Sequence, residues 1–272
     1  MAYEHLLVKV DGRIATIALN RPERMNALNP KLENELGDAL EEAGKDDSIG
    51  VVVLTGSGRA FCSGADVQAM SGGKDTAPGA AGYGNASAEE IRRGFSRAQR
   101  MILGIQRLEK PVIGMINGPA VGAGFDLACV CDIRVGSTNA RFMAAYIRVG
   151  LFPGFGGTWL YARALGLPKA AELLFTGDFL EAEEAHKLGF LNKLVPPEKL
   201  EEATMEMARK IAKGPPIAMR LAKLQLYKGL EVDLETAMQV AAAFETITLT
   251  SEDHKEGAAA FREKRPPQFK GR

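Results

Sequence analysis

Two stretches of the chain join a strand, a turn of small residues and a helix start, an arrangement that aims backbone N–H groups at a developing negative charge. One runs from Lys110 to Asp132, K-P-V-I-G-M-I-N-G-P-A-V-G-A-G-F-D-L-A-C-V-C-D. Val112 to Ile116 reads as a short buried strand broken at Asn117-Gly118-Pro119. After Gly122-Ala123-Gly124, residues Phe125, Leu127, Ala128 and Val130 read as a buried helix. Small residues let a ligand approach the backbone, and the first-turn N–H groups of a helix point outward as donors. Such a turn is an anion or oxyanion cradle, with close packing as the competing reading. Upstream, Val51 to Gly56 reads as another buried strand, followed by G-R-A-F-C-S-G-A-D-V from Gly58 to Val67. Asp126, set between Phe125 and Leu127, is a carboxyl whose burial raises its pKa toward the range useful for proton transfer; a buried hydrogen-bonding residue is the alternative. Asp66 can act as a base or, near a helix N-terminus, as a structural acid. No Asp or Glu lies between Asp132 and Glu172, so that segment offers no second carboxylate.

The elements that must position these turns follow from pattern. Leu6 to Val10 and Ile14 to Leu19 flank Asp11-Gly12, a two-residue hairpin signal. Asn29 caps a helix with Pro30 in its first turn, and Leu32, Leu36 and Leu40 recur at helical spacing before a strand from Gly50 to Thr55. Strand and helix then alternate, so the first two-thirds is an α/β region of repeated ββα-like units. Ser71 to Ser87 is rich in Gly, Ala and small polar residues and reads as a loop, either closing over a ligand or a plain surface insertion, with Tyr83 as its aromatic. A helix from about Ala88 to Leu108 follows. From Lys199 the pattern is helical: Leu200 to Ala212, Pro216 to Tyr227, Leu234 to Leu249 and Ser251 to Arg265. We therefore divide the chain into a core, residues 1–198, and a helical appendage, residues 199–272, which must cover its own core or a neighbouring subunit.

Composition narrows the class. The 272 residues are 46% hydrophobic and 25% charged, with 34 basic and 34 acidic side chains, so no global field recruits nucleic acid or an anionic membrane. Cys62, Cys129 and Cys131 make neither a disulfide framework nor a zinc pattern and read as buried small hydrophobes in a reducing compartment. No apolar segment approaches membrane-spanning length, and the start M-A-Y-E-H-L lacks a basic region followed by an apolar core. The expectation is a soluble, cytoplasmic protein.

The two turns with their flanks, together with L-N-R-P-E-R-M-N-A-L from Leu19 to Leu28 and the C-terminal F-R-E-K-R-P-P-Q-F-K-G-R, resemble the crotonase family, also called the enoyl-CoA hydratase/isomerase family. The resemblance extends from Val8 nearly to the end of the chain. It implies a crotonase-like spiral of ββα units with a C-terminal helical trimerisation region, assembled as a homotrimer or a hexamer of two trimers. It also implies an acyl-CoA thioester as substrate, coenzyme A being part of that substrate, with no separate cofactor and no metal.

By the family's pattern the oxyanion donors are the backbone N–H groups of Ala65 and Ala123, beside Gly122. Two preorganised donors stabilise an enolate, and one such donor is worth about a hundred- to a thousandfold in rate. The two glutamates of a standard hydratase match Asp126 and Tyr146, so this chain carries one acid and one phenol. The aspartate that some isomerising relatives place in L-x-P-D is replaced by Gly154 in Leu151-Phe152-Pro153-Gly154. Tyr146 either donates a proton or orients water, or it merely shapes the acyl pocket. A single carboxylate can shuttle a proton in an allylic isomerisation, whereas hydration normally uses two groups. Resemblance further assigns Arg24 and Arg59 to the coenzyme A phosphates, Phe261 and Lys264 to coenzyme A on an adjacent subunit, and Asp66 and Val67 of the first turn, with Gly122 of the second, to substrate or coenzyme A binding. Phe152 to Trp159 is expected at the acyl end, where two phenylalanines and a tryptophan suit a bulky or cyclic group. Hydration or isomerisation of an enoyl-CoA leads; decarboxylation or hydrolysis of an acyl-CoA, or a degenerate acyl-CoA-binding subunit, are the alternatives.

Overall fold

The computed structural model describes residues 3–66 and 87–272. The Asp11-Gly12 hairpin forms as expected, with β1 (Leu6–Asp11) antiparallel to β2 (Ile14–Leu19) and Gly12 at a φ of +56°. Next comes α1 (Pro30–Lys45), capped by the Asn29 side chain, which accepts from the Leu32 N–H at 2.8 Å. Leu32, Leu36 and Leu40 are buried along one stripe of it. Then follow β3 (Val51–Gly56), α2 (Ala88–Arg107), β4 (Val112–Ile116), β5 (Ala120–Val121), α3 (Ala123–Val130), β6 (Ile133–Ser137) and β7 (Arg141–Met143). After these lie α4 (Gly157–Leu165), α5 (Leu167–Thr176), β8 (Phe179–Glu181), α6 (Ala182–Lys187) and β9 (Lys193–Val195).

Six strands form one sheet in the order β1-β2-β3-β4-β6-β9, parallel from β2 onward. A smaller sheet of β5, β7 and β8 stands beside it. The period-2 alternation of strand side chains divides the core. Val52 and Leu54 face Leu36, Leu40, Met101 and Ile105 of α1 and α2, while Val51 and Val53 face the other side with Ile113 and Val135. That second side is covered by α7 (Leu200–Ala212) through Leu200, Ala203, Ala208 and Ala212. This helix, counted with the appendage on sequence, is thus packed with the sheet because its small-residue face fits the flat Val-rich surface.

Beyond it, α8 (Pro216–Lys228) is tied to the body by Lys223, which bonds Asp132 at 2.7 Å and the carbonyls of Ile105 and Lys110 at 3.1 Å, and by Tyr227, which bonds Asp132 at 2.7 Å. The last two helices, α9 (Leu234–Thr250) and α10 (Glu252–Glu263), form an arm. No residue of α9 is buried, and Leu234 and Met238 expose 77% and 64% of their surface. Among the described residues no helix is long and apolar enough to cross a membrane.

Candidate active site

Parallel neighbours β3 and β4 end at the same edge of the sheet, so the turns that leave them meet there, the place where open parallel sheets commonly bind ligands. The chains cross-link directly. Cys62 and Ala120 form an isolated parallel bridge, the Val121 N–H bonds the Cys62 carbonyl at 2.9 Å, and Leu28 bridges Ala65. The contact is close at Gly64, whose φ of +89° is the left-handed region and whose pro-Cβ position lies 2.5 Å from the Val121 carbonyl and 3.4 Å from the Ala123 nitrogen. A side chain there would separate the two turns. Gly122 caps α3 with a φ of +54°, its own N–H bonded to the Met143 carbonyl at 2.8 Å. Backbone bonds engage the N–H groups of Asp66 and Val121, whereas among the described residues those of Ala65 and Ala123 have no backbone acceptor.

Asp126 stands in the first turn of α3 and is fully buried. The Tyr146 hydroxyl, on a 3-10 turn from Ala145 to Val149, donates to Asp126 Oδ2 at 2.5 Å. The Tyr161 hydroxyl, from α4, donates to Asp126 Oδ1. Tyr161 is inaccessible and stacks on Phe125 with ring centroids 4.4 Å apart; Tyr146 is half-buried, its ring carbon Cζ 3.9 Å from the pro-Cβ position of Gly122. Burial pushes the Asp126 carboxyl up to about 7 against the opposing pull of the two phenol hydrogen bonds. Burial, then the neighbouring Asp126, holds both phenols well above the ordinary tyrosine value, so they remain protonated donors.

The remaining predicted residues scatter. Asp66 is ion-paired to Arg21 Nη2 at 3.1 Å, and its N–H bonds the Leu28 carbonyl, so it joins the first turn to the segment before α1. Val67 and the loop with Tyr83 lie outside the described residues, though Ser87 forms a capping box with Glu90 at the start of α2. Arg24 and Arg59 are exposed on the two segments that flank the first turn. Phe152 is 74% exposed. Trp159 packs against the core, with the Arg163 guanidinium 3.8 Å above its ring, and borders a cavity of about 660 Å³ together with Ile102, Val130, Leu160, Leu221 and Tyr227. That space lies at the C-terminal end of α3, one helical turn beyond Asp126. Phe261, 86% exposed, and Lys264 end α10, whose neighbours are α9 and the chain's own tail. Among the described residues no group of three or more His, Cys, Asp or Glu side chains is placed to hold a metal ion.

Tyr161 and Asn26 escaped the sequence reading. Asn26, fully buried at a φ of +57°, donates to the carbonyls of Ser57 at 2.9 Å and Ala60 at 2.8 Å and accepts from the Arg21 N–H at 2.9 Å. It holds the first turn in shape. Its position within L-N-R-P-E-R-M-N-A-L was the available signal; for Tyr161 there was none beyond a tyrosine one turn into a helix.

The model of the enoyl-CoA hydratase/isomerase family matches residues 9–272. A crotonyl-CoA hydratase of Syntrophomonas wolfei is 36% identical over 270 residues, covering 99% of each chain. A 1,2-epoxyphenylacetyl-CoA isomerase of Escherichia coli is 34% identical, again over 99% of each chain. The crystal structure of an enoyl-CoA hydratase from Bacillus anthracis superposes with a TM-score of 0.90 at 33% identity, covering 99% of this chain and all of that one. Agreement of this length in both sequence and backbone leaves one conclusion: the chain belongs to the enoyl-CoA hydratase/isomerase family.

Proposed function

We propose that this enzyme moves a proton on an enoyl-CoA thioester, isomerising a 3-enoyl to a conjugated 2-enoyl group, with Asp126 and Tyr146 acting as one proton-carrying pair. The observation that carries the reading is the single buried carboxyl bonded to a phenol that itself lies beside Gly122. The thioester oxygen would rest between the N–H groups of Ala65 and Ala123, two donors already in place when an enolate forms. As the substrate Cα–H bond breaks, its electrons pass into the dienolate; the Tyr146 oxygen takes the proton while its own hydroxyl proton moves to Asp126. Return of the proton at Cγ reverses both transfers and leaves the enzyme unchanged. A carboxyl poised near 7 suits a group that must accept and release a proton in one turnover.

Coenzyme A would lie along Arg24 and Arg59, with Phe261 and Lys264 supplied from a neighbouring copy, and no separate cofactor takes part. The exposed apolar side chains of the arm, with Leu226 and Leu230 just before it, support assembly into a homotrimer, singly or paired. Three buried free thiols support a reducing, cytoplasmic setting. Hydration of a 2-enoyl-CoA is the second reading, favoured by the hydratase names of relatives such as that of Syntrophomonas wolfei. Incubating the protein with a 3-enoyl-CoA and with crotonyl-CoA in deuterated water separates them. Gain of conjugation with deuterium at Cα and Cγ is the expected result; loss of conjugation from crotonyl-CoA would replace isomerisation by hydration.

A further inference from the structure

Tyr161 holds the carboxyl oxygen of Asp126 that Tyr146 does not. It sits one turn into α4, fully enclosed, with its ring stacked on Phe125 and its hydroxyl on Asp126 Oδ1. The other oxygen, Oδ2, is the one bonded to Tyr146. The carboxyl plane is therefore fixed from two directions, with a different oxygen assigned to each phenol. Gly157 completes the fit, for a methyl there would lie 2.8 Å from Asp126 Oδ1 and 3.0 Å from the Tyr161 ring.

We propose that Tyr161 is a positioning residue of the reaction: it anchors Oδ1 so that Oδ2 faces Tyr146, and it favours the ionised form of Asp126 that accepts the proton. The inference rests on the assignment of Asp126 and Tyr146 as the proton-carrying pair. A phenol donates more strongly to a carboxylate than to a carboxylic acid, so it opposes the desolvation that otherwise keeps Asp126 neutral. The titratable groups facing Asp126 are Tyr146 from the 3-10 turn, Tyr161 from α4, Cys62 from the first turn and Cys129 from α3 itself. Burial pushes the Cys62 thiol up to about 12 and also raises that of Cys129, so neither supplies charge near neutral pH. The phenols are thus the groups that oppose burial at this carboxyl.

The test compares wild type, Tyr161→Phe, Tyr146→Phe and Asp126→Asn in 3-enoyl-CoA isomerisation from pH 5.5 to 9.5, with ¹³C NMR titration of the Asp126 carboxyl, assigned by its loss in Asp126→Asn. In Tyr161→Phe the Asp126 midpoint and the acid limb of kcat are expected to rise together by about one pH unit. That gives about a fivefold loss at pH 7, recovered at high pH, with KM unchanged. Gly157→Ala, whose methyl crowds both Asp126 Oδ1 and the Tyr161 ring, should move the midpoint in the same direction. A midpoint unmoved in both variants, or a loss uniform across pH, overturns the inference. If Asp126→Asn keeps full turnover, the proton-carrying pair itself fails, and the NMR titration still decides whether Tyr161 governs the Asp126 carboxyl.

Discussion

At the scale of single residues, the proposed chemistry concentrates on a carboxyl that the fold has made reluctant to ionise. Asp126 has no exposed surface and sits among aromatic rings, yet it keeps two hydrogen-bond donors that stabilise its charge. Replacing it by Asn keeps the shape and removes the proton acceptor, so kcat should fall about a hundred- to ten-thousandfold while the Kd for an acyl-CoA, read by calorimetry, changes little. Tyr146→Phe should lose a comparable factor if the phenol carries the proton, and only a few-fold if it merely shapes the pocket. Asp126 was legible in the sequence because an acid inside an otherwise apolar helix start has few structural excuses. Tyr161 was not, since its partnership is made by α4 packing across α3 at a sequence distance that no local pattern records.

At the scale of elements, the first turn is held by side chains rather than by regular structure. Asn26 satisfies two carbonyls of that turn from the left-handed region, and Arg21 closes the far side through Asp66. Asn26→Ala would remove the side-chain donor of the Ser57 carbonyl and the acceptor of the Arg21 N–H, leaving Ala60 with Asn117 alone, and is expected to cost about 1–3 kcal/mol in urea unfolding. Activity should fall further than stability predicts, because Gly64 and Ala65 lose their register against Val121. The major strands and helices were readable from pattern: Val112–Ile116 and Leu200–Ala212 form as read, and the Asn29 cap is in place. The small sheet was not readable. Its strands are two and three residues long, too short for a period to show, and they exist because β5 and β7 are drawn together around α3.

At the scale of the whole molecule, one fully buried and one partly buried carboxyl group set a pH dependence of stability. Burial raises Asp126 to about 7 and, against the nearby Arg97, raises Glu33 to about 7 as well. Both values exceed those of an unfolded chain, near 4. Between about pH 4 and pH 7 the folded protein therefore holds protons that the unfolded chain has released, and stability falls as pH rises across that window. Differential scanning calorimetry should place the highest Tm on the acid side of neutrality, and Asp126→Asn should flatten the decline between about pH 4 and pH 7. The arm adds a second whole-molecule dependence. With Leu226, Leu230, Leu234 and Met238 all more than 60% exposed in one chain, sedimentation should find three copies or a multiple of three, and a chain ended after Gly229 should sediment as a monomer.

The position of that arm along the chain also imposes an order in time. Asp126, Tyr146 and Tyr161, the residues of the proposed proton-carrying site, precede Gly166, the sheet is complete at Val195, and its last covering helix ends at Ala212. A ribosome adding about 5–20 residues per second still has residues 213–272 to deliver when the body has all its strands, an interval of some seconds. The body can close around Asp126 before the apolar helices emerge, so a newborn chain would expose its sticky surface only after its own strands are paired, with folding preceding any association.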